Sequence, residues 1–314
     1  MLKTIAFIGL GNMGGPMAAN LVKAGFSVRG FDLSELARKA ATENGITICE
    51  SAAQAVDGAS IVITMLPAGH HVLSVWGALV ETIHKGTLLI DCSTIDVDSA
   101  RKAHELAQTA GCLSLDAPVS GGTTGASAAT LTFMVGGEED ALSRGRPVLE
   151  AMGRRVVHCG SAGAGQAAKI CNNMILGITM AGVCEAFVLG EKLGLSHQAL
   201  FDVASTSSGQ CWAITTNCPV PGPVPTSPAN RGYTPGFAAS LMLKDMRLSQ
   251  EAAASTGVAT SLGAHATQLY ELFDELGHGA EDFSSIINYV RSHSGENAGD
   301  GGGIQDAEPS VPGS

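Results

Sequence analysis

Short apolar runs alternate with amphipathic stretches through the first half of the chain. The runs are rich in Val, Ile, Leu and Phe and end at Gly, Pro, Ser or Thr, which predicts buried β-strands. They lie at 4–8, 26–31, 61–66, 88–90, 113–115, 131–135 and 155–158. Buried strands that alternate with helices are typical of an open parallel sheet, with ligand loops along the edge where the strands end.

The loop after the first predicted strand carries a dinucleotide-binding pattern. Its residues are Gly9, Leu10, Gly11, Asn12, Met13 and Gly14. Gly9 permits the turn, Gly11 lets a pyrophosphate approach the backbone, and Gly14 lets the following helix pack closely. Asp32 ends the second strand, where a carboxylate accepts hydrogen bonds from the adenosine ribose and repels a 2′-phosphate. This context predicts a Rossmann-type domain that binds NAD in preference to NADP.

The strand pattern stops near residue 165, and helical patterns follow. The run at 174–189 is small and apolar on most sides, which is typical of a buried helix. Glu185 interrupts this run, and Asn172 and Asn173 directly precede it, which favours a core helix over a membrane span. Further helices are predicted at 189–203, 237–253 and 262–276.

These patterns predict an α/β protein in two domains. We expect a Rossmann-type parallel-sheet domain at 1–162 and an all-α domain at 163–292, which a long helix joins to the first. The last residues, 293–314, are mostly Gly, Asp, Glu, Pro and Ser, so we expect a disordered tail. The helical domain has little with which to cover its long apolar helix, so we also expect a homodimer or homotetramer.

Composition narrows the function classes. A formal net charge of −11 argues against a nucleic-acid partner. The eight cysteines form no Cys-x-x-Cys pair and have no His at metal-binding spacing, so we expect free thiols, a reducing cytoplasmic compartment and no metal site. The chain enters its first strand almost at once, so we expect no targeting segment.

The stretch at 163–173 holds the strongest candidate for chemistry. Lys169 and Asn173 stand four residues apart, so on a helix their side chains share one face and can reach one small molecule. An ammonium on an apolar helix is costly to desolvate, so Lys169 needs a partner or a catalytic role. The alternative is a lysine at the helix entrance whose charged end extends into water.

A second candidate follows the strand at 113–115. Ser120, Gly121 and Gly122 are consecutive small residues whose backbone N–H groups can hold a carboxylate. Glycines in this position can equally form a plain turn.

Four motifs, at 7–14, 116–122, 163–173 and 244–245, occur in the order and spacing of the β-hydroxyacid dehydrogenase family, which the chain resembles from residue 3 to about 291. The resemblance implies that Lys169 is the catalytic acid/base and that Asn173 orients the substrate. It further implies that Ser120, Gly121 and Gly122 hold the substrate carboxylate. Beyond the glycine loop and Asp32, it assigns Leu66, Pro67 and Thr94 to the nicotinamide ribose of NAD, and it also assigns Phe237 and Lys244 to the cofactor.

Three features bring the chain nearest to family members that act on 3-hydroxyisobutyrate. They are Trp212, assigned to the substrate, the loop at 218–222 and the stretch at 282–285. The implied reaction is NAD-dependent oxidation of (S)-3-hydroxyisobutyrate to methylmalonate semialdehyde, a step of valine breakdown. The alternatives are reduction of tartronate semialdehyde, turnover of another small 3-hydroxy acid, and a nucleotide-binding module without turnover.

Overall fold

The computed structural model describes residues 4–294, so the predicted tail lies outside the described residues from residue 295 onward. The strands are β1 (Thr4–Ile8), β2 (Ser27–Phe31), β3 (Thr47–Ile48), β4 (Ile61–Thr64), β5 (Leu88–Asp91), β6 (Leu113–Asp116), β7 (Val119–Ser120), β8 (Leu131–Gly136) and β9 (Gly153–Gly160). The helices of the first half are α1 (Gly14–Lys23), α2 (Glu35–Glu43), α3 (Ala52–Val56), α4 (Gly69–Leu79), α5 (Val97–Thr109), α6 (Gly122–Ser127) and α7 (Glu139–Met152).

Helices form the second half of the described chain. They are α8 (Ala164–Lys192), α9 (His197–Ala204), α10 (Trp212–Thr215), α11 (Ala239–Thr256), α12 (Ser261–Phe273) and α13 (Ile286–Ser292). Short 3₁₀ segments lie at Pro228–Arg231 and Phe283–Ser285, and a π-helical turn lies at Asp274–His278. The predicted fold class, a Rossmann-type domain followed by an all-α region on a long helix, is therefore confirmed.

The strands form one sheet in the order β3-β2-β1-β4-β5-β6-β8-β7, with β9 paired to β8. Strands β1 to β6 run parallel, and β1 lies between β2 and β4. The chain therefore reverses its direction of winding at β1, and the crevice that this reversal opens at the carboxyl end of β1 is where dinucleotides bind in such sheets.

The sheet differs from the predicted all-parallel one at its far side. Strand β8 runs antiparallel to β6 and β7, and β9 then runs parallel to β8. Between β7 and β8 the chain holds only the short helix α6, and a connection of this length returns a strand antiparallel to its neighbour more easily than it crosses the sheet.

Both faces of the sheet are buried. Along β1, Ile5 and Phe7 point into one apolar core while Ala6 and Ile8 point into the other. A separate core fills the helical region, where α8 packs against α11, α12 and α13. The sheet thus gives a rigid platform whose strand ends carry the loops of the site.

Helix α8 crosses from the sheet into the helical core. Among the described residues it is the one helix long and apolar enough to cross a membrane by length and composition. Half of its most apolar window is buried inside the fold, as in the core helix of a globular protein. The single helix predicted at 189–203 is wrong. Gly194 adopts φ +82°, which ends α8, and Ser196 caps α9 by accepting a hydrogen bond from the Ala199 N–H.

Candidate active site

The glycine loop lies between β1 and α1 at the crevice. Gly9 has φ +94°, and a Cβ there would overlap the Met65 carbonyl oxygen. A Cβ on Gly14 would in turn overlap the carbonyl oxygen of Gly9, so both positions require glycine. At Gly11 a Cβ would meet no heavy atom within 4 Å, so this part of the loop faces open space.

The start of α1 fits a pyrophosphate. The residue that precedes the helix, Met13, makes no side-chain capping hydrogen bond. The Gly15 N–H donates to the Gly11 carbonyl oxygen and Pro16 has no N–H, so Gly14 supplies the N–H of the first turn that can face an anion. With the open face at Gly11, this loop fits the phosphates of NAD.

Asp32 stands beside this loop at the end of β2. One carboxylate oxygen, Oδ2, accepts the Leu10 N–H at 2.7 Å and the other accepts the Ser34 N–H at 2.7 Å. The carboxylate is thus fixed next to the glycine loop, where it fits the hydroxyls of an adenosine ribose. The structure brings the glycine loop and Asp32 together as the sequence predicted.

The loops after β4 and β5 are joined to each other. The Leu66 N–H donates to Ser93 Oγ at 2.7 Å, and that hydroxyl donates to Asp91 Oδ1 at 2.6 Å. Burial raises the pKa of Asp91 to about 6. These bonds place Leu66 and Pro67 beside the loop that holds Thr94, so the three residues assigned to the nicotinamide ribose lie on neighbouring strand ends.

Helix α8 begins against the end of β6. Gly163, with φ +83°, precedes the helix, and its N–H donates to Asp116 Oδ1 at 2.8 Å. The Gln166 N–H donates to Asp116 Oδ2 at 2.9 Å, so one buried carboxylate caps the first turn. His104 Nε2 lies 2.9 Å from Asp116 Oδ1. The start of the helix is therefore held in a fixed position on the sheet edge.

Lys169 lies one turn further along α8 and is buried. Its Nζ donates to the Val119 carbonyl oxygen at 2.9 Å and lies 4.0 Å from Asp245 Oδ2. Asn173 Nδ2 donates to the same carboxylate oxygen at 2.5 Å. The structure thus brings Lys169 and Asn173 onto one face, as predicted, and adds Asp245 from α11 as their shared partner.

Desolvation dominates the electrostatics of this cluster. Burial lowers the pKa of Lys169, while the nearby Asp245 carboxylate opposes the shift and Lys244 adds to it. Burial likewise raises the pKa of Asp245, and the charges of the two lysines oppose that shift. A buried lysine with a lowered pKa is suited to exchange a proton near neutral pH. The alternative of a lysine extended into water does not fit this burial.

Lys244 joins the two halves of the molecule. Its Nζ donates to the Thr94 carbonyl oxygen at 2.7 Å, and burial lowers its pKa. Beside this contact lies a cavity of about 530 Å³, between the loop at Thr94, the start of α4 at Gly69 and the α11 side chain of Arg247. Lys244 therefore stands at the mouth of the cleft between the sheet and the helices.

The small-residue loop closes the site on the other side. Gly121 has φ +136° and Gly122 has φ +60°, and a Cβ on Gly122 would lie 2.9 Å from the Gly236 carbonyl oxygen. The loop at Ser120 is thus next to the segment that leads into Phe237, whose ring packs edge-on against Phe283 at 5.8 Å. Because Lys169 bonds the residue before Ser120, this loop and the lysine are neighbours.

One assigned residue stands apart. Trp212 opens α10 and is half exposed, and within residues 4–294 no hydrogen bond or aromatic contact joins it to the Lys169 cluster. No group of three or more His, Cys, Asp or Glu side chains within that range is arranged to hold a metal ion. The roles assigned to the individual site residues stay predictions.

Sequence reasoning missed the residues that support the site. Asp245 was recognised only as part of the motif at 244–245. The capping role of Asp116 and the burial of Asp91 were not predicted. A carboxylate at the end of a predicted parallel strand is a signal that points to this edge. No sequence pattern pairs Asp245 with Lys169, because α11 and α8 are distant in the chain.

Comparison with known proteins supports this picture. A family model described as the NAD binding domain of 6-phosphogluconate dehydrogenase matches residues 4–160, and one described as NAD-binding of NADP-dependent 3-hydroxyisobutyrate dehydrogenase matches 163–290. A probable 3-hydroxyisobutyrate dehydrogenase of Mycobacterium tuberculosis is 54% identical over 93% of this chain and 99% of its own. An NAD-dependent L-serine dehydrogenase of Pseudomonas aeruginosa is 48% identical over 91% and 97%.

The solved structures agree with the sequence relatives. The structure of a Mycobacterium tuberculosis 3-hydroxyisobutyrate dehydrogenase with L-serine superposes with a TM-score of 0.90 at 54% identity, and it covers 93% of this chain and 100% of that one.

Proposed function

Because the chain belongs to the 3-hydroxyisobutyrate dehydrogenase family, we propose that it oxidises (S)-3-hydroxyisobutyrate to methylmalonate semialdehyde with NAD. The observation that carries this proposal is buried Lys169, whose amine donates to the Val119 carbonyl oxygen beside the loop at Ser120 and lies near the Asp245 carboxylate, while the adjacent Lys244 donates to Thr94. The chain is an NAD-binding oxidoreductase, and the choice of substrate is the step that needs an experiment.

Each residue of the cluster around Lys169 has a separate role in the proposed reaction. Bound NAD would accept the hydride from the carbon that carries the hydroxyl. Lys169, as a free amine, takes the hydroxyl proton and so prevents an alkoxide from building up in a buried site. Asn173 gives one N–H to Asp245 and keeps a second N–H, which can donate to the substrate oxygen.

The substrate carboxylate fixes the orientation. The backbone N–H groups at Gly121 and Gly122 and the Ser120 hydroxyl are the donors that would hold it, next to Lys169. A 3-hydroxy acid places its hydroxyl two carbons from the carboxylate carbon, so one molecule can contact the loop and the lysine together.

A substrate panel with NAD tests the proposal. We expect kcat/KM to be highest for (S)-3-hydroxyisobutyrate, ahead of glycerate, 3-hydroxypropionate and L-serine. A higher kcat/KM for glycerate, with rapid reduction of tartronate semialdehyde, would instead support the related reductase. If NAD binds but no member of the panel is turned over, the chain is instead a nucleotide-binding module without turnover.

L-serine is the second candidate substrate. A 48% identical relative is named an NAD-dependent L-serine dehydrogenase, and the 54% identical Mycobacterium tuberculosis structure is one with L-serine. Serine carries the same hydroxyl and carboxylate but an ammonium in place of the methyl group. The cluster offers that ammonium the Asp245 carboxylate, which is already bonded to Asn173, so we propose that serine is used more slowly.

Cofactor choice provides a further prediction. The wild-type enzyme should use NAD with a kcat/KM at least about tenfold above that with NADP, because one unfavourable charge contact is worth on the order of 1–2 kcal/mol. Asp32→Ser removes the carboxylate that repels the 2′-phosphate of NADP, so the ratio of kcat/KM with NAD to kcat/KM with NADP should fall. Glu35→Gln, a neighbouring charge change at the start of α2, is the matched control and should leave the ratio unchanged. Equal use of both cofactors by the wild type contradicts the prediction.

We place the reaction in valine breakdown in the cytoplasm, without nucleic-acid or membrane partners. All eight cysteines are free thiols, as expected in a reducing compartment. The net charge of −11 disfavours nucleic acid. The division into domains at 1–162 and 163–292 is likewise part of this proposal.

We also propose that the chain is a homodimer or homotetramer. Apolar side chains on and just after α8 are exposed, with Ile175 at 61%, Leu189 at 60% and Leu193 at 71%. A second copy that covered this face would bury them. Light scattering at micromolar concentration should give a dimer or a tetramer, and Leu189→Glu should shift the mass toward the monomer. A wild-type monomer at that concentration would rule the assembly out.

A further inference from the structure

The side chain of Gln166 is completely buried in the first turn of α8, one turn before Lys169. Its Oε1 accepts the Ile95 N–H at 3.1 Å, and its Nε2 donates to the Ser93 carbonyl oxygen at 2.7 Å. Ser93 and Ile95 are the residues on either side of Thr94. One amide group therefore holds both sides of the cofactor loop against the helix that carries Lys169.

Only a side chain with one donor and one acceptor can make this pair of bonds. The Ile95 N–H needs an acceptor and the Ser93 carbonyl needs a donor, and the amide of Gln166 supplies both. The loop has further fixed points, since Ser93 Oγ accepts the Leu66 N–H and the Thr94 carbonyl accepts from Lys244. Among these contacts, Gln166 alone joins the loop to the helix of Lys169.

We propose that Gln166 is a positioning residue for hydride and proton transfer, an inference that rests on the proposed function. It sets the distance between the loop at Thr94, on the nicotinamide side, and the Lys169 amine. A misplacement of reacting groups by about 1 Å can cost on the order of 10²-fold in rate. Loss of the two bonds should therefore lower kcat even in a protein that still folds.

The Gln166→Glu variant tests the donor. An ionised carboxyl at this position accepts from Ile95 but repels the Ser93 carbonyl oxygen, so kcat at pH 8 should fall about 10- to 100-fold. When protonated, the carboxyl again has a donor, and burial raises its pKa. The ratio of variant to wild-type kcat should therefore rise as the pH falls. The charged and titratable groups around this position, present in both proteins, are Asp91, Arg101, His104, Asp116, Lys169 and Lys244.

Two further variants complete the design. Gln166→Met keeps nearly the same volume and loses both bonds, so its kcat ratio should be low at every pH. Arg144→Met is the matched control, because Arg144 donates to the Gly86 carbonyl oxygen at 2.6 Å before the amino end of β5, at the edge of the sheet opposite the site loops. It should lower the thermal midpoint and leave kcat unchanged. If Gln166→Glu fails to fold, Gln166→Met carries the test.

Hydrogen exchange gives a readout that needs no turnover. In the protein without added cofactor, the Ile95 amide should lose protection by about tenfold in Gln166→Met and keep it in Arg144→Met. Loss of protection with a lowered kcat supports the proposal. A kcat within about twofold of wild type in Gln166→Met, with only the thermal midpoint lowered, overturns it. If the Ile95 amide of the wild type is protected as expected but the protein turns over no substrate, the proposed function is overturned instead.

Discussion

Lys169→Ala should lower kcat by about 10²- to 10⁴-fold, the usual contribution of a positioned proton carrier. The amine is buried and bonded to the Val119 carbonyl oxygen, so alanine removes the proton carrier from inside the site. The affinity for NAD should change little, because the glycine loop and Asp32 lie at the other end of the crevice. Steady-state kinetics and NAD titration by fluorescence measure both quantities.

Lys169→Arg separates catalysis from structure. A guanidinium stays protonated and cannot act as the base, so this variant should be nearly as damaging as alanine. If the lysine only filled space and held a charge, arginine would serve almost as well and alanine would lower the thermal midpoint more than kcat. Near-wild-type turnover in Lys169→Arg would end the catalytic assignment.

The direction in which kcat changes with pH is a further test of the role of Lys169. Oxidation needs the free amine, so kcat should rise with pH, and because burial lowers the pKa of Lys169 the rise should be complete below the ordinary lysine value of about 10.4. Reduction of the aldehyde needs the ammonium and should show the opposite slope. The Asp245 carboxylate raises the pKa of Lys169, so Asp245→Asn should move the oxidation profile to lower pH. A profile that does not move would exclude this coupling.

Sequence patterns correctly predicted the elements that depend on residues close together in the chain. Strand β1 has the predicted bounds, since an apolar run that ends at glycine leaves few other structures. The glycine loop and Asp32 followed from the same stretch, because a positive φ at Gly9 and a close backbone approach at Gly14 require glycine. The helix predicted at 189–203 failed, because it passed over two local signals, the C-terminal glycine Gly194 and the capping residue Ser196.

The support of the site depends on contacts between distant parts of the chain. Asp245 reaches Asn173 and Lys169 from α11, and Gln166 reaches the loop after β5. A sequence pattern records the side chain and its neighbours on one element, but these contacts exist only once the helices lie on the sheet. The lysine could therefore be identified from its helix, while the groups that tune and hold it could not.

Asp116→Ala should destabilise the protein by about 3 kcal/mol, because it leaves the buried N–H groups of Gly163 and Gln166 without an acceptor. For a domain of this size that loss corresponds to a fall in thermal midpoint of about 6–12 °C. The start of α8 should also loosen, so kcat should fall more than the affinity for NAD. Calorimetry and steady-state kinetics on one preparation measure both effects.

Asp98→Ala is the matched control for Asp116→Ala. Asp98 lies in the first turn of α5, mostly exposed, in an ion pair with Arg101 at 3.8 Å. An exposed pair of this kind is worth about 0–1 kcal/mol, so the midpoint should hardly change. The two carboxylates differ in burial and in what they accept: Asp116 alone binds the backbone of the helix that carries Lys169. If both variants unfold at the wild-type temperature, the start of α8 is held by other contacts and Asp116 is not its anchor.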